Sequence, residues 1–318
     1  MAIQGENEVF TLERSESDEA WRQARCKGIG GSDVAAIMGL SPWKTPLEVW
    51  LEKTGRETPA DLSDKPFIKF GNDFEPFVGS HYKAERPTET VRRVNAICRN
   101  IARPWATASL DYEVKRGEAW GVLEIKTARC AKDWEDGVPL YYMTQVLHYL
   151  SVTGRPFASV CVFFRDTCEY RIYDVEPDAD DMAAVVAAVD AFWLNFVSAD
   201  VMPKVTGDDG AHLAGLFEQG DDYRFETDER ADELAEAYEM AATEEKAAKA
   251  KKNLAAAELE ALIGDFKGIE TELRRITWTR GETSRLDTKA LKAEQPDIYQ
   301  KYCKTAMRNG GIRIKEIG

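Results

Sequence analysis

ATASLDYEVKRGEAWGVLEIKTA, residues 106–128, reads as two β-strands joined by the turn-forming Lys115-Arg116-Gly117-Glu118. Side chains alternate along a strand, so Glu124 and Lys126 fall on one face, and Leu123 and Ile125 on the other. A hairpin here brings Asp111 beside the polar face. Two carboxylates and an amine then converge where a strand normally buries apolar groups. That set suits metal-assisted phosphodiester hydrolysis, in which carboxylates hold Mg²⁺ and the lysine orients or deprotonates the attacking water. A Glu-x-Lys pair by itself is most often a solvated sheet face, so the reading rests on what surrounds it.

Three neighbouring segments strengthen it. Residues 66–84 predict a helix with Phe67, Phe70, Phe74, Phe77 and Val78 on its apolar side, and Glu75 on it can reach over a sheet as a third carboxylate. Residues 139–152 predict a second helix. On it Tyr142, Gln145 and Tyr149 recur at i, i+3 and i+7, and therefore share one face. Their polar tips suit holding a phosphate or a water; tyrosine-ring packing with an internally satisfied Gln145 is the plainer alternative. His148 faces elsewhere and reads as structural. Near the start, Arg25, Lys27 and Ser32 surround Gly28-Ile29-Gly30-Gly31, read as a flexible turn. The turn opens a helix through residues 34–38, with Ser32-Asp33 as its cap. Amides at a helix start, a hydroxyl and a basic side chain form a phosphate cradle. Lys132, six residues past Lys126, is placed to touch a phosphate. Trp21 and Trp43 can stack on bases, but core packing is the expectation for each.

The 318 residues suffice for one large domain with an appendage, or for two domains, and the 44% apolar content is that of a globular protein. No secretory signal and no bilayer-spanning apolar run is evident, which predicts a cytoplasmic protein. The six cysteines (26, 98, 130, 161, 168 and 303) contain no CxxC pair and read as reduced thiols. The net charge of −14 is unevenly spread: residues 176–232 hold 15 acidic and 3 basic side chains. Residues 65–132 hold 13 basic and 8 acidic side chains, and residues 267–318 hold 12 and 7. Basic surface therefore remains around the candidate site, and local field governs phosphate binding.

Along the chain, residues 1–20 read as a polar lead-in and Thr45-Pro46 starts a helix to about Thr54. Strands are predicted at 159–165 and 169–175, and a helix at 178–198. The expected architecture is an α/β (α+β) mixed sheet flanked by helices. Residues 203–226 read as a linker or extended loop, and 228–263 as one long alanine-rich helix with only a rough apolar seam. Short strands (269–279), a helix (287–303) and a last strand (311–316) follow. The division expected is a core over 1–205, an acidic linker and long helix over 206–264, and a small basic extension over 265–318.

In combination, W21-x3-R25-x3-IGGSDVAAIMG, GNDFE75, LD111 with E124-I-K126, and Y142-x2-Q145-x3-Y149 resemble the YqaJ-like viral recombinase family, related to the phage lambda exonuclease. That family belongs to the PD-(D/E)XK nuclease superfamily, and the resemblance spans about residues 15–200. It implies a restriction-endonuclease-like core and a Mg²⁺-dependent 5′-to-3′ exonuclease on linear double-stranded DNA, using one or two metals, with Mn²⁺ as a substitute. Residue by residue, it assigns Asp111, Glu124 and Glu75 as metal carboxylates, the Ile125 carbonyl as a further ligand and Lys126 as the catalytic lysine. Gln145 becomes a site glutamine with Tyr142 three residues before it, and Arg25 and Ser32 bind the terminal 5′ phosphate. Tyr149 and Lys132 join the phosphate- and DNA-binding set. The resemblance also implies a homo-oligomeric ring (trimer or tetramer), a single-strand annealing protein as partner, and a bacterial host's cytoplasm if the chain is phage-encoded. The superfamily's proline before the aspartate is Leu110 here. The basic tail is expected to contact DNA or another subunit. Two alternatives stand beside this reading: an endonuclease or repair nuclease of the same superfamily, and a catalytically silent DNA-binding or assembly module.

Overall fold

The first of the two strands expected over 106–128 is broken at Leu110-Asp111: residues 107–109 join a three-stranded sheet, and residues 112–128 supply a hairpin to a five-stranded mixed sheet. The computed structural model describes residues 9–59, 61–62, 64–217, 220, 222–224, 226, 229–303 and 310–315. In chain order the first part holds β1 (Phe10–Glu13), α1 (Asp18–Cys26), α2 (Gly31–Ile37), α3 (Pro46–Lys53), α4 (Pro66–Glu85), β2 (Thr90–Arg93), β3 (Ile97–Asn100) and β4 (Thr107–Ser109). Then come β5 (Tyr112–Arg116), β6 (Ala119–Ala128), α5 (Leu140–Thr153), β7 (Ala158–Phe164), β8 (Glu169–Val175), α6 (Ala179–Phe192) and α7 (Gly210–Leu216).

The main sheet runs β2-β5-β6-β7-β8, and β1-β3-β4 form a separate antiparallel sheet. β5 and β6 make the expected hairpin, closed at Gly117 with φ +60°. β6 and β7 are parallel, so the chain must cross over between them, and α5 is that crossover. The pleat then divides β6 between two apolar layers. Val122 packs with Val160, Val162 and Phe164 against Val146 and Leu150 of α5. Leu123 and Ile125 pack with Cys161 and Phe163 against Val78 and Tyr82 of α4. Glu124 and Lys126 follow Val122 onto the α5 side.

Several elements differ from the expectation for identifiable reasons. β1 lies in the segment read as a polar lead-in, where Phe10 anchors it against β3. β2, with sequence Thr-Val-Arg-Arg, is a mostly exposed edge strand with no apolar alternation to betray it. Gly28–Gly31 is not a flexible turn: the Ile29 N–H donates to Trp105 O at 2.6 Å and Ile29 O accepts from Thr107 N at 2.9 Å. Helix α2 accordingly begins at Gly31 with Gly30 as its cap residue; the Asp33 carboxylate takes the Gly30 N–H (3.0 Å) from inside the first turn. On α4, Phe67, Phe70 and Phe77 stand exposed instead of joining the apolar side, while Phe74 packs on Phe163.

Part of the segment read as linker is anchored. Thr206 and Asp209 form a capping box ahead of α7, and the buried Asp209 accepts the Thr45 hydroxyl at 2.5 Å. His212 then lies between Glu48 (3.3 Å) and Glu57 (3.0 Å), whose carboxylates raise its pKa against the effect of burial.

The chain divides into two compact units, Met1–Leu216 and Phe217–Gly318. The second unit contains the expected long helix, α8 (Arg230–Ile263), then a β9–β10 hairpin (Gly268–Glu270 with Arg275–Thr277), α9 (Thr288–Glu294) and α10 (Pro296–Tyr302). The single helix expected over 287–303 is two, because a proline's ring and missing N–H interrupt a helix. No strand forms over 311–315, and residue 316 lies outside the described residues. Among the described residues no helix is long and apolar enough to cross a membrane, and no disulfide joins any of the six cysteines.

Candidate active site

Asp111 sits at the corner between β4 and β5, just where the β5–β6 ladder ends at the Tyr112–Leu123 pair. Among the described residues, β6 has no strand partner on this edge beyond that pair. The Asp111 side chain takes its place, accepting the Ile125 N–H at 2.8 Å. A residue's N–H and C=O point to the same edge of its strand, so the Ile125 carbonyl is directed to the Asp111 side as well.

One strand position on, Lys126 Nζ donates to Glu124 Oε1 (2.6 Å) and to Gln145 Oε1 (3.1 Å). Gln145 Nε2 donates to the same Glu124 oxygen at 2.8 Å and to the Tyr149 hydroxyl at 2.9 Å. Lys126 also lies over the Tyr142 ring, 4.7 Å from its centroid. The i, i+3, i+7 face of α5 is therefore turned onto the Glu-x-Lys pair. Glu75 on α4 is joined to Arg93 of β2 at 2.9 Å.

Electrostatics show how crowded the acidic groups are. Burial and then Asp111 push the Glu124 carboxyl up to about 8, despite Lys126. Burial also raises Asp111, against the pull of Lys126 and the Ile125 amide, and burial with Asp111 raises Glu75. Burial would lower the Lys126 pKa, yet Glu124 and Asp111 hold it above the ordinary lysine range. The lysine is thus a fixed positive charge.

Among the described residues, Glu124 Oε2 is buried without a hydrogen-bond partner. A buried unpaired carboxylate oxygen is costly, and a cation beside it relieves that cost together with the repulsion between the carboxylates. The hard oxygen donors of Asp111, Glu124 and the Ile125 carbonyl fit Mg²⁺ or Mn²⁺. Among the described residues no three acidic, His or Cys side chains already converge in ligand geometry; Glu75 is engaged with Arg93 instead.

The glycine turn adjoins this centre. Arg25 Nη2 donates to Ser32 Oγ at 2.7 Å, and the guanidinium stacks on Trp21 at 4.7 Å. Beneath them lies a network that the sequence did not reveal. Buried Asp33 pairs with Lys53 (2.7 Å) and Lys44 (3.2 Å), and Lys53 also donates to the Arg25 carbonyl at 3.1 Å. These cations, with Arg25, hold the Asp33 carboxyl far below the usual range although burial alone would raise it. Lys132 is exposed on a 3₁₀ turn (Lys132–Trp134) and, among the described residues, makes no hydrogen bond to the site. Trp43 is 66% exposed and packs edge-on to Tyr141, so core packing does not hold for it; Trp21 is likewise partly exposed beneath Arg25.

His148 of α5 ties the Ile29 segment to β4. Fully buried, its Nε2 lies 3.1 Å from Ile29 O and 3.0 Å from Thr107 O. Both partners are acceptors, which assigns the proton to Nε2, and among the described residues the buried Nδ1 has no partner to receive a second charge. Burial lowers the His148 pKa to about 4. Between that value and about 6.5 the unfolded chain binds a proton that the folded chain refuses. Stability is therefore expected to fall as pH drops through this window, by ~3 kcal/mol in all. With three histidines in the chain, NMR can follow each ring: that of His148 should keep its neutral shifts down to about pH 5, and protonation of His148 at about pH 6 or above would contradict the assignment.

Comparison with known proteins places the chain. The YqaJ-like viral recombinase domain matches residues 20–156. The protein YqaJ of Bacillus subtilis (strain 168), itself uncharacterised, is 30% identical over 323 residues, covering 96% of this chain and 97% of that one. The chain belongs to the YqaJ-like viral recombinase family. Among solved structures, it is similar to an alkaline exonuclease from Laribacter hongkongensis, LHK-Exo, also crystallised with dAMP. The two are 22% identical, with 57% of this chain and 93% of that one covered and a TM-score of 0.47.

Proposed function

We propose that this protein is a divalent-metal-dependent deoxyribonuclease that degrades linear duplex DNA from its 5′ ends, leaving 3′ single strands for an annealing protein. The observation that carries the reading is the orphaned Glu124 Oε2, buried beside Asp111 with Lys126 held at fixed distance. Asp111, Glu124 and the Ile125 carbonyl would hold Mg²⁺, or Mn²⁺ in its place, with Glu75 joining as a further carboxylate; the metal count is one or two. The metal supplies Lewis acidity and a more acidic bound water. Lys126, charged, donates a hydrogen bond that orients the attacking water and offsets negative charge on the phosphate. Gln145 fixes Lys126 and Glu124 relative to each other, with Tyr149 and Tyr142 supporting that arrangement. Arg25 and Ser32 bind the 5′-terminal phosphate and place the terminal nucleotide for in-line attack; Lys132 touches a phosphate further along. In this reading residues 1–205 are the nuclease core, while 206–264 and 265–318 serve DNA or subunit contacts. A homo-oligomeric ring in the bacterial cytoplasm completes it.

Digestion of linear duplex labelled separately at each 5′ and 3′ end, with a closed circle as control, tests the reading. Early loss of 5′ label, stable 3′ label and an intact circle are expected. Cutting of the circle would point to an endonuclease, and binding without cleavage in any divalent metal to a silent module. Arg25→Ala should lose roughly 10- to 100-fold on 5′-phosphorylated ends, the scale of a charge-assisted hydrogen-bonded pair. Equal loss on 5′-hydroxyl ends would count against an end-phosphate pocket.

A further inference from the structure

Arg93 is a cation at the centre that the proposed chemistry leaves unused. It ends the edge strand β2, stands opposite Tyr112 in the ladder, and lies 6.0 Å from that ring's centroid. The next residue's amide, Val94 N–H, donates to the Asp111 carbonyl at 3.3 Å, which pins the end of β2 to the metal-side corner. The guanidinium reaches Glu75 Oε1 at 2.9 Å; the Arg93 side chain is 51% exposed and that of Glu75 only 17%.

A guanidinium in contact with one carboxylate of a cation site is positioned as a substitute for the cation. It offsets the charge that Glu75 would otherwise present, unpaired, to Asp111. It also opposes a dication at the same place, because two positive groups a few ångströms apart repel strongly when partly removed from water. The pair can separate at little cost, since Arg93 is half in solvent and exposed ion pairs contribute little. The anion that arrives at such a site along with the metal is a DNA phosphate, and the planar fork of arginine matches phosphate oxygens.

We propose that Arg93 is a positioning residue that occupies Glu75 in the metal-free protein and transfers to a DNA phosphate when metal and DNA bind. This rests on the nuclease reading of the same site. Metal and DNA then favour each other's binding, because each removes Arg93 from the other's path, and such coupling is reciprocal.

The test has two readouts that should move in opposite directions. Mn²⁺ is titrated calorimetrically into the DNA-free protein. Arg93→Gln is expected to bind it roughly tenfold more tightly than the parent, by loss of the competing charge, whereas Arg93→Lys stays near the parent. Duplex DNA with a 5′ phosphate is then titrated in Ca²⁺ and followed by anisotropy. Here Arg93→Gln should bind roughly tenfold more weakly and lower the salt dependence by about one phosphate contact, with Arg93→Lys, which keeps the charge without the planar fork, losing less and keeping the parent's salt dependence. In a Glu75→Gln background the gain in Mn²⁺ affinity from Arg93→Gln should vanish. A merely structural ion pair would lower the melting temperature of Arg93→Gln and move neither affinity. Unchanged or weaker Mn²⁺ binding by Arg93→Gln, with the parent binding normally, overturns the inference and leaves the nuclease reading standing. If the parent protein and all variants take up no Mn²⁺, the nuclease reading itself fails.

Discussion

Lys126→Ala is expected to reduce the hydrolysis rate by about a thousandfold or more while leaving DNA affinity in Ca²⁺ within a few-fold of the parent. The size follows from the loss of a positioned charge and proton donor at the reacting centre, together worth on the order of 10²–10⁴. The selectivity follows from where Lys126 sits. Its side chain is 17% exposed and two of its three N–H donors go to Glu124 and Gln145, so beyond the water and phosphate at the reacting centre it contributes little to holding the DNA backbone. The variant should fold. Removing one partner of a buried ion pair can cost about 3–5 kcal/mol when the other charge is stranded. Here burial and Asp111 already push the Glu124 carboxyl up to about 8, so Glu124 escapes that cost by taking up a proton. Lys126→Arg should not restore the rate, because a planar guanidinium cannot replace a compact ammonium between Glu124 and Gln145. End-label release and anisotropy on the same preparations make the comparison. Residual hydrolysis above roughly a tenth of the parent rate would remove Lys126 from the role given to it.

The site was legible in the sequence to the extent that strand and helix periodicity governs it. Alternation along 119–128 separates Glu124 and Lys126 from Leu123 and Ile125, and the core does divide them that way. The 3.6-residue repeat puts Tyr142, Gln145 and Tyr149 on one face, and there Gln145 bonds Glu124 and Tyr149 while the Tyr142 ring lies under Lys126. What periodicity cannot encode is which distant charge arrives. Arg93 belongs to a strand with too few apolar residues to be seen, and its contact with Glu75 depends on how β2 pairs with β5. Asp33 looked like a helix cap, and only the packing of α3 against α2 shows it buried between Lys44 and Lys53. On α4 the converse holds: Phe74 meets the sheet, but Phe67, Phe70 and Phe77 do not. Their spacing suits one apolar face, yet these three remain exposed, because spacing fixes a face and not what covers it.

The glycine turn is where sequence reasoning found the right place and the wrong cause, and a single methyl group tests the difference. None of Gly28, Gly30 and Gly31 has a positive φ, so backbone freedom is not what these positions require. Space is what Gly31 requires: an added Cβ would lie 2.4 Å from Tyr149 Cε1 and 2.7 Å from Gln145 Cγ. Both contacts belong to the face of α5 that holds Lys126 and Glu124. Gly31→Ala therefore cannot be accommodated by one flexible tip. It must push α2 and its Arg25–Ser32 pair away from α5, or drive Gln145 off its hydrogen bonds. Overpacking of this kind costs about 1–3 kcal/mol, which leaves the chain folded. Activity should suffer more than stability, because a displacement approaching 1 Å at positioning groups costs roughly a hundredfold in rate. The melting temperature should fall by only a few degrees, while cleavage of linear duplex drops by about two orders of magnitude on phosphorylated and hydroxyl ends alike. That indifference to the end group distinguishes Gly31→Ala from Arg25→Ala, since the damage spreads through Gln145 to the reacting centre. Parent-like cleavage by Gly31→Ala would mean that the contact between α2 and α5 does not govern the placement of Gln145.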